Sequence, residues 1–260
     1  MNLLVVGVQG RGLVPPDEPV FAAGDESLLR GSAAFETLRV YGGRPFLLER
    51  HLARLEHSIG ALGLAPAVGA AELALLVAAA APPEHVLRLF RTEQVLVATA
   101  QALPAGLDEL RARGLALRTF ERHPPALLAG VKSTSYAAPL AARRQAEAEG
   151  ADDALFISEA GVLDTATANI WWSVGGVLHT PAAGPGVLEG VTRGFVRELE
   201  EVTEGAYPVE ALLAADEAFT TSSIREVMPV VSVDSRTIGG GRPGPAATRL
   251  QATLRLRSTR

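Results

Sequence analysis

Apolar residues recur along this chain with two periods, and the switches between them mark out its elements. Residues 3–8 are a short, nearly unbroken apolar run of strand type. Pro15, Pro16 and Pro19 make the following stretch a loop. From Phe35 to Tyr41 the side chains alternate, break at Gly42-Gly43 and resume over residues 44–48, which predicts a hairpin. Leu48, Leu52, Leu55, Ile59 and Leu62 then fall three and four apart and predict a helix over 49–62. An alanine-rich helix is predicted over 70–80, stopping before Pro82-Pro83. Residues 86–100 read as two strands around Arg91-Thr92-Glu93-Gln94, followed by a short helix at 107–113 and a strand at 115–120.

His123-Pro124-Pro125 is the best place for a boundary, giving an expected N-terminal lobe of 1–122 and a larger C-terminal lobe of 123–260 that carries Lys132. The second lobe is predicted to hold a helix over 137–150 and strands at 154–158, 169–174 and 177–180. Gly161 and Gly175-Gly176 supply the turns between those strands. A helix opens at residues 190–193 after Gly184-Pro185-Gly186, strands follow at 217–221 and 227–233, and a last helix starts near Pro245. Hairpins and helices in each half suggest a two-lobed α/β (α+β) protein with a cleft between its lobes.

Composition removes several function classes. Cysteine is absent, which excludes disulfides, thiol catalysis and cysteine-ligated metals. The five histidines show no metal-binding spacing. A net charge of −5 and no basic run longer than Arg143-Arg144 argue against nucleic acid as a partner. The apolar run from Leu73 to Pro83 is too short to span a bilayer. The start of the chain carries no basic leader, so a protein without membrane contact, in the cytoplasm, is expected.

One residue stands apart. Of the 24 basic residues, Lys132 is the single lysine. Arginine replaces lysine in ion pairs and phosphate contacts but not as an amine nucleophile, because guanidinium does not deprotonate in a protein. A retained lysine in Gly130-Val131-Lys132-Ser133-Thr134-Ser135-Tyr136 therefore suggests covalent work on a carbonyl compound such as pyridoxal 5'-phosphate. The plain alternative is arginine-biased codon usage with one survivor.

Such a cofactor needs an acid at its ring nitrogen, donors for its phosphate and a contact to its ring hydroxyl. Tyr136, four residues after Lys132, suits the hydroxyl, unless it is a core tyrosine. Asp164, an acid in an otherwise uncharged stretch after a glycine turn, suits the nitrogen, unless it merely caps that turn. Val191 and Thr192 open a helix whose N–H groups suit the phosphate, unless Thr192 is a plain cap. Ser222 and Ser223 end a predicted strand, either as hydroxyl donors or as a polar loop.

Taken in order, stretches 31–41, 46–55, 130–136, 161–172, 189–193 and 215–230 resemble the fold-type-IV pyridoxal phosphate enzymes. That group contains branched-chain and D-amino-acid aminotransferases and aminodeoxychorismate lyase. The resemblance implies the D-amino-acid-aminotransferase-like fold and Lys132 as the lysine joined to the cofactor aldehyde. His51-Leu52-Ala53-Arg54-Leu55 is similar to the family's His-x-x-Arg-Leu, so Arg54 inherits the phosphate. Val191, Thr192 and Ser223, with Ser222 beside it, match further phosphate contacts, and Asp164 takes the place of a glutamate at the pyridine nitrogen. Phe35 falls on the substrate side, and Arg91 where D-amino-acid aminotransferases keep a carboxylate-binding arginine. Thr37 matches a threonine implicated in catalysis by aminodeoxychorismate lyases.

Two departures accompany the match: aspartate for glutamate at 164, and Ala33 where the family's Gly-Asp-Gly motif has a second glycine. The resemblance implies a homodimer acting on a small amino substrate. It points first to conversion of 4-amino-4-deoxychorismate to p-aminobenzoate and pyruvate for folate synthesis. Transamination of a branched-chain or D-amino acid comes second, and a member with weakened or lost catalysis third.

Overall fold

The computed structural model describes residues 3–259, which divide into two compact units. One comprises the described residues up to Pro104, Val131–Tyr136, and residues 258–259; the other comprises Ala105–Gly130 and Ala137–Arg257. The sequence places the division at 122/123. The chain instead leaves the first unit after Pro104, because the strand that follows pairs in parallel with later strands of the second unit.

The first unit runs β1 (Leu3–Val8), β2 (Gly12–Val14), α1 (Glu26–Leu29), β3 (Ala34–Tyr41), β4 (Arg44–Pro45), α2 (Leu48–Ala61), α3 (Ala70–Ala80), β5 (His85–Arg91) and β6 (Leu96–Gln101). Its antiparallel sheet has the order β2-β1-β6-β5-β3-β4. One face is covered by α2 and α3. Ala34, Leu38 and Val40 from β3, Leu87 and Leu89 from β5, and Ala98 and Ala100 from β6 meet Leu55, Ile59, Leu73, Ala74 and Val77 there. The period-2 alternation thus sends even-numbered β3 residues and odd-numbered β5 residues into the core. Phe35, Thr37, Arg88 and Phe90 take the opposite face.

The second unit contains α4 (Leu107–Arg113), β7 (Leu115–Glu121), α5 (Ala137–Ala148), β8 (Asp153–Ser158), β9 (Gly161–Thr165), β10 (Asn169–Val174), β11 (Val177–Pro181), α6 (Val191–Arg197), β12 (Val202–Gly205), α7 (Val209–Leu213), β13 (Glu217–Ser222), β14 (Glu226–Val233), β15 (Arg236–Thr237) and α8 (Pro245–Ser258). Its sheet is mixed, in the order β12-β11-β10-β13-β14-β7-β8-β9, with β15 on β14. Leu115, Leu117, Leu155, Ile170, Trp172, Met228 and Val230 form its main core.

Six elements, β2, α1, β9, β12, α7 and β15, lie outside the sequence expectations. For β9 the cause is local. Gly161 is already the first residue of the strand, paired with Ser158. Its φ is +111°, and a Cβ there would overlap the carbonyl of Tyr207. The glycine that reads as a turn is a strand residue under a tight crossing, and Asp164 consequently sits in a strand. No helix of the described residues is long and apolar enough to cross a membrane.

Candidate active site

The segment carrying Lys132 is sewn onto the open start of β3. Phe35 N–H donates to the Lys132 carbonyl at 3.0 Å, Thr134 N–H to the Ala33 carbonyl at 2.9 Å, and Ser133 bridges Ala34. Ala33 N–H in turn reaches the Thr134 hydroxyl at 3.2 Å. Ala33 is fully buried and takes no positive φ, so alanine in place of the family glycine carries no backbone strain. This antiparallel register sets Lys132 and Phe35 on one face. The Lys132 Nζ lies 4.4 Å from the centroid of the Phe35 ring and donates to the Tyr136 hydroxyl at 3.3 Å. Phe35 and Tyr136 meet edge to face at 5.3 Å, so the amine is held by two mutually braced rings.

Arg54 lies on α2 with its guanidinium clamped by a buried acid. Its Nε and Nη2 donate to the two oxygens of Glu36 at 2.7 and 2.8 Å, and His51 Nδ1 meets the same carboxylate at 2.7 Å. Glu36 is fully buried. Burial alone would raise its carboxyl, but the hydrogen bonds and charges of Arg54 and His51 hold it down at about 2. A carboxylate only accepts, so the His51 Nδ1 carries the proton. Burial lowers the His51 imidazole below its ordinary value, against the pull of Glu36. One turn on, Ser58 donates to the Arg54 carbonyl at 3.0 Å and accepts from Lys132 N–H at 3.0 Å, joining the helix turn of Arg54 to the lysine backbone.

Strand parity decides between two arginines. Thr37 pairs with Arg88, and Arg88 with Thr99, so Arg88 stands between two threonines on the Phe35 face. Arg91 pairs with Ala34 on the core face, where its Nε donates to the Ala65 carbonyl at 2.7 Å. Arg91, chosen from the sequence for a substrate carboxylate, thus binds a backbone carbonyl behind the sheet. Arg88 is the arginine beside Thr37, and the alternation of β5 carried the signal that would have found it.

In the second unit Asp164 is 7% exposed. It accepts from the side-chain amide of Asn169 at 3.0 and 2.9 Å and from Leu188 N–H at 2.9 Å. These bonds replace the local turn cap the sequence left open. Burial pushes the Asp164 carboxyl up to about 7, although Leu188, Asn169, Arg193 and Arg122 all favour its ionised form. Gly190, just before α6, lies so close to Asn169 that a Cβ would overlap its side-chain oxygen. The amide that holds Asp164 therefore also abuts the opening of α6, where Val191 and Thr192 are buried. Ser222 accepts from Arg225 N–H at 3.2 Å, and Ser222 and Ser223 are half-buried at the end of β13.

The chain is similar to known proteins over most of its length. The family described as Amino-transferase class IV matches residues 33–233. An aminodeoxychorismate lyase of Bacillus subtilis is 30% identical over 95% of this chain and 92% of its own. A D-alanine aminotransferase of Bacillus licheniformis is 28% identical over 86% and 87%. Among solved structures, a hypothetical aminotransferase from Mycobacterium tuberculosis in its PLP-bound form has a TM-score of 0.88 at 26% identity, covering 97% of this chain and 98% of the other. A fold IV-transaminase from Curtobacterium pusillum has a TM-score of 0.85 at 27% identity, covering 95% and 91%.

The residues present fit the cofactor that the PLP-bound structure holds. The one lysine amine is set over rings beside a phenol, the arrangement an aldehyde-binding amine with a neighbouring hydroxyl donor requires. The chain belongs to the class IV amino-transferase family, and pyridoxal 5'-phosphate is its cofactor.

Proposed function

We propose that this protein is a pyridoxal phosphate-dependent lyase that converts 4-amino-4-deoxychorismate to p-aminobenzoate and pyruvate. The observation that carries the reading is Thr37 on the face shared by Phe35 and Lys132, with Arg88 directly opposite it across the strand pair. Similarity to a lyase of that name over nearly the whole chain supports it. The proposed cofactor contacts are Lys132 at the aldehyde, Tyr136 at the ring oxygen, and Asp164 at the ring nitrogen. Arg54, Val191, Thr192, Ser222 and Ser223 take the phosphate. Phe35 lines the substrate side, and Arg88 takes the substrate carboxylate in place of Arg91.

When bound, the cofactor supplies an electron sink next to the carbon that bears the substrate amine. Lys132 takes the proton from that carbon as its C–H bond breaks. The C–O bond to the enolpyruvyl group breaks, the ring becomes aromatic, and the leaving oxygen needs a proton. Thr37 is the hydroxyl proposed to hold and deliver it. Tyr136 orients the lysine amine, and Asp164 in its charged form keeps the ring nitrogen protonated.

The aminotransferase reading is favoured by the D-alanine and branched-chain aminotransferases that are also similar to this chain. One experiment separates the two. Pyruvate release from aminodeoxychorismate with no added 2-oxo acid supports the lyase; strict dependence on a 2-oxo acid acceptor rejects it. The reading includes a homodimer in the cytoplasm, which sedimentation of the purified protein and cell fractionation test.

A further inference from the structure

We infer that Glu36 is the positioning residue of the phosphate site, holding the Arg54 guanidinium in one plane and one rotamer before the cofactor arrives. The inference rests on the proposed assignment of Arg54 to the phosphate. Its own basis is the geometry around the carboxylate.

An arginine side chain has several soft torsions, and a phosphate that must freeze them loses affinity. Here they are already frozen. Glu36 grips Nε and Nη2 at 2.7 and 2.8 Å, the side-by-side pair that fixes a guanidinium plane. The carboxylate itself is fully buried on a β-strand, and His51 Nδ1 fixes its Oε2 at 2.7 Å. The order of support runs from His51 through Glu36 to Arg54.

Stability alone is a poor reason to bury such a trio. A buried ion pair offsets little more than its own desolvation, and apolar residues of similar volume often serve a fold as well. The alternation of β3 makes the point sharper. Ala34, Leu38 and Val40 lie on the same face as Glu36, and all are core residues. An acid in that row is what a site needs when it must orient a cation. The electrostatic cost is plain: Glu36 places a negative charge near an arginine meant for a dianion. The inference therefore requires that orientation outweigh repulsion, and that is measurable.

The test compares two forms of the vitamin on the 260-residue chain stripped of cofactor. Dissociation constants for pyridoxal 5'-phosphate and for pyridoxal are read from the absorbance of the bound chromophore. The variants are Glu36→Gln, Arg54→Met and the double variant, with melting curves recorded alongside. The double variant removes both charges together, so it guards against a single variant that fails to fold. Glu36→Gln is expected to weaken the phosphorylated form roughly 10- to 100-fold. Pyridoxal binding should stay unchanged, as should the preference of Arg54→Met when Glu36→Gln is added to it. A merely structural glutamate would weaken both forms alike, which overturns the inference. So does tighter binding of the phosphorylated form by Glu36→Gln, or a normal preference in that variant while Arg54→Met loses it. If Arg54→Met itself keeps the normal preference, the assignment of Arg54 falls, and the role of Glu36 falls with it.

Discussion

Asn169 donates its side-chain amide to both oxygens of Asp164, at 3.0 and 2.9 Å, and the same nitrogen reaches the Leu188 carbonyl at 2.7 Å. One neutral side chain thus positions a buried acid whose nearest formal charges act only at a distance. Neutral donors soften the burial of a carboxylate without cancelling it, which is why this carboxyl is pushed up to about 7.

That shift fixes a pH dependence. The folded state holds the Asp164 proton more tightly than the unfolded state does, so the contribution of this group to stability falls as pH rises from about 4 to about 7. In cofactor-free protein, Asp164→Asn should gain about 2–3 kcal/mol on the wild type between pH 5 and pH 8. Urea unfolding at the two pH values checks this. The same variant should bind the cofactor more weakly, because Asn offers no charge to a protonated ring nitrogen.

Asp164→Glu restores the family residue to a space shaped for a shorter one. Its extra methylene should cost about 1–3 kcal/mol. Thermal melts of the cofactor-free protein measure it, and turnover should not rise. A rise in turnover without loss of stability would make the shorter acid the limit on catalysis.

Lys132→Arg should fold, since the Phe35 and Tyr136 rings accept either cation. It should lack the visible absorbance of covalently held cofactor and all turnover, because guanidinium does not act as an amine nucleophile. A spectrum and an activity assay decide both points. Full activity would remove the covalent role.

Thr37→Val keeps the shape and branching of the side chain and removes only the hydroxyl. If that hydroxyl handles a proton, kcat should fall about 100-fold or more while cofactor absorbance and melting temperature stay put. Unchanged kcat would leave Thr37 as a strand residue.

Arg88→Gln and Arg91→Gln should fail in different ways. The first also gives up the Arg88 hydrogen bond to the Gln101 side chain, but its mark should be a raised KM for a carboxylated substrate. The second should lower the melting temperature, because it removes a buried guanidinium that donates to the Ala65 carbonyl. Steady-state kinetics and melts on both variants distinguish them.

Periodicity made most of the scaffold legible. The stripe from Leu48 to Leu62 became α2, and the alternation from Phe35 to Tyr41 became β3, because one face of each is buried. Short elements between glycines were harder. β9 begins at Gly161 itself, and only the Tyr207 backbone pressing on that glycine shows why it sits inside a strand. The site was legible as residue types and less so as directions. Lys132 with Tyr136 needed only their spacing. Arg91 was chosen by position along the chain, whereas the face of the sheet is what sorts it from Arg88. Glu36 is the residue that periodicity alone could have singled out, because an acid alternating with Ala34, Leu38 and Val40 marks a buried charge in search of a partner.

The excursion of residues 131–136 also bears on how this protein could be dissected. The lysine is anchored by β3 and Ser58, yet the chain on either side of it is counted in the other unit. A fragment ending at Pro104 would carry the anchor sites without the amine, and one beginning at Ala105 would carry the amine without its anchors. A cut between Pro104 and Ala105 would therefore part the nucleophile from its mount.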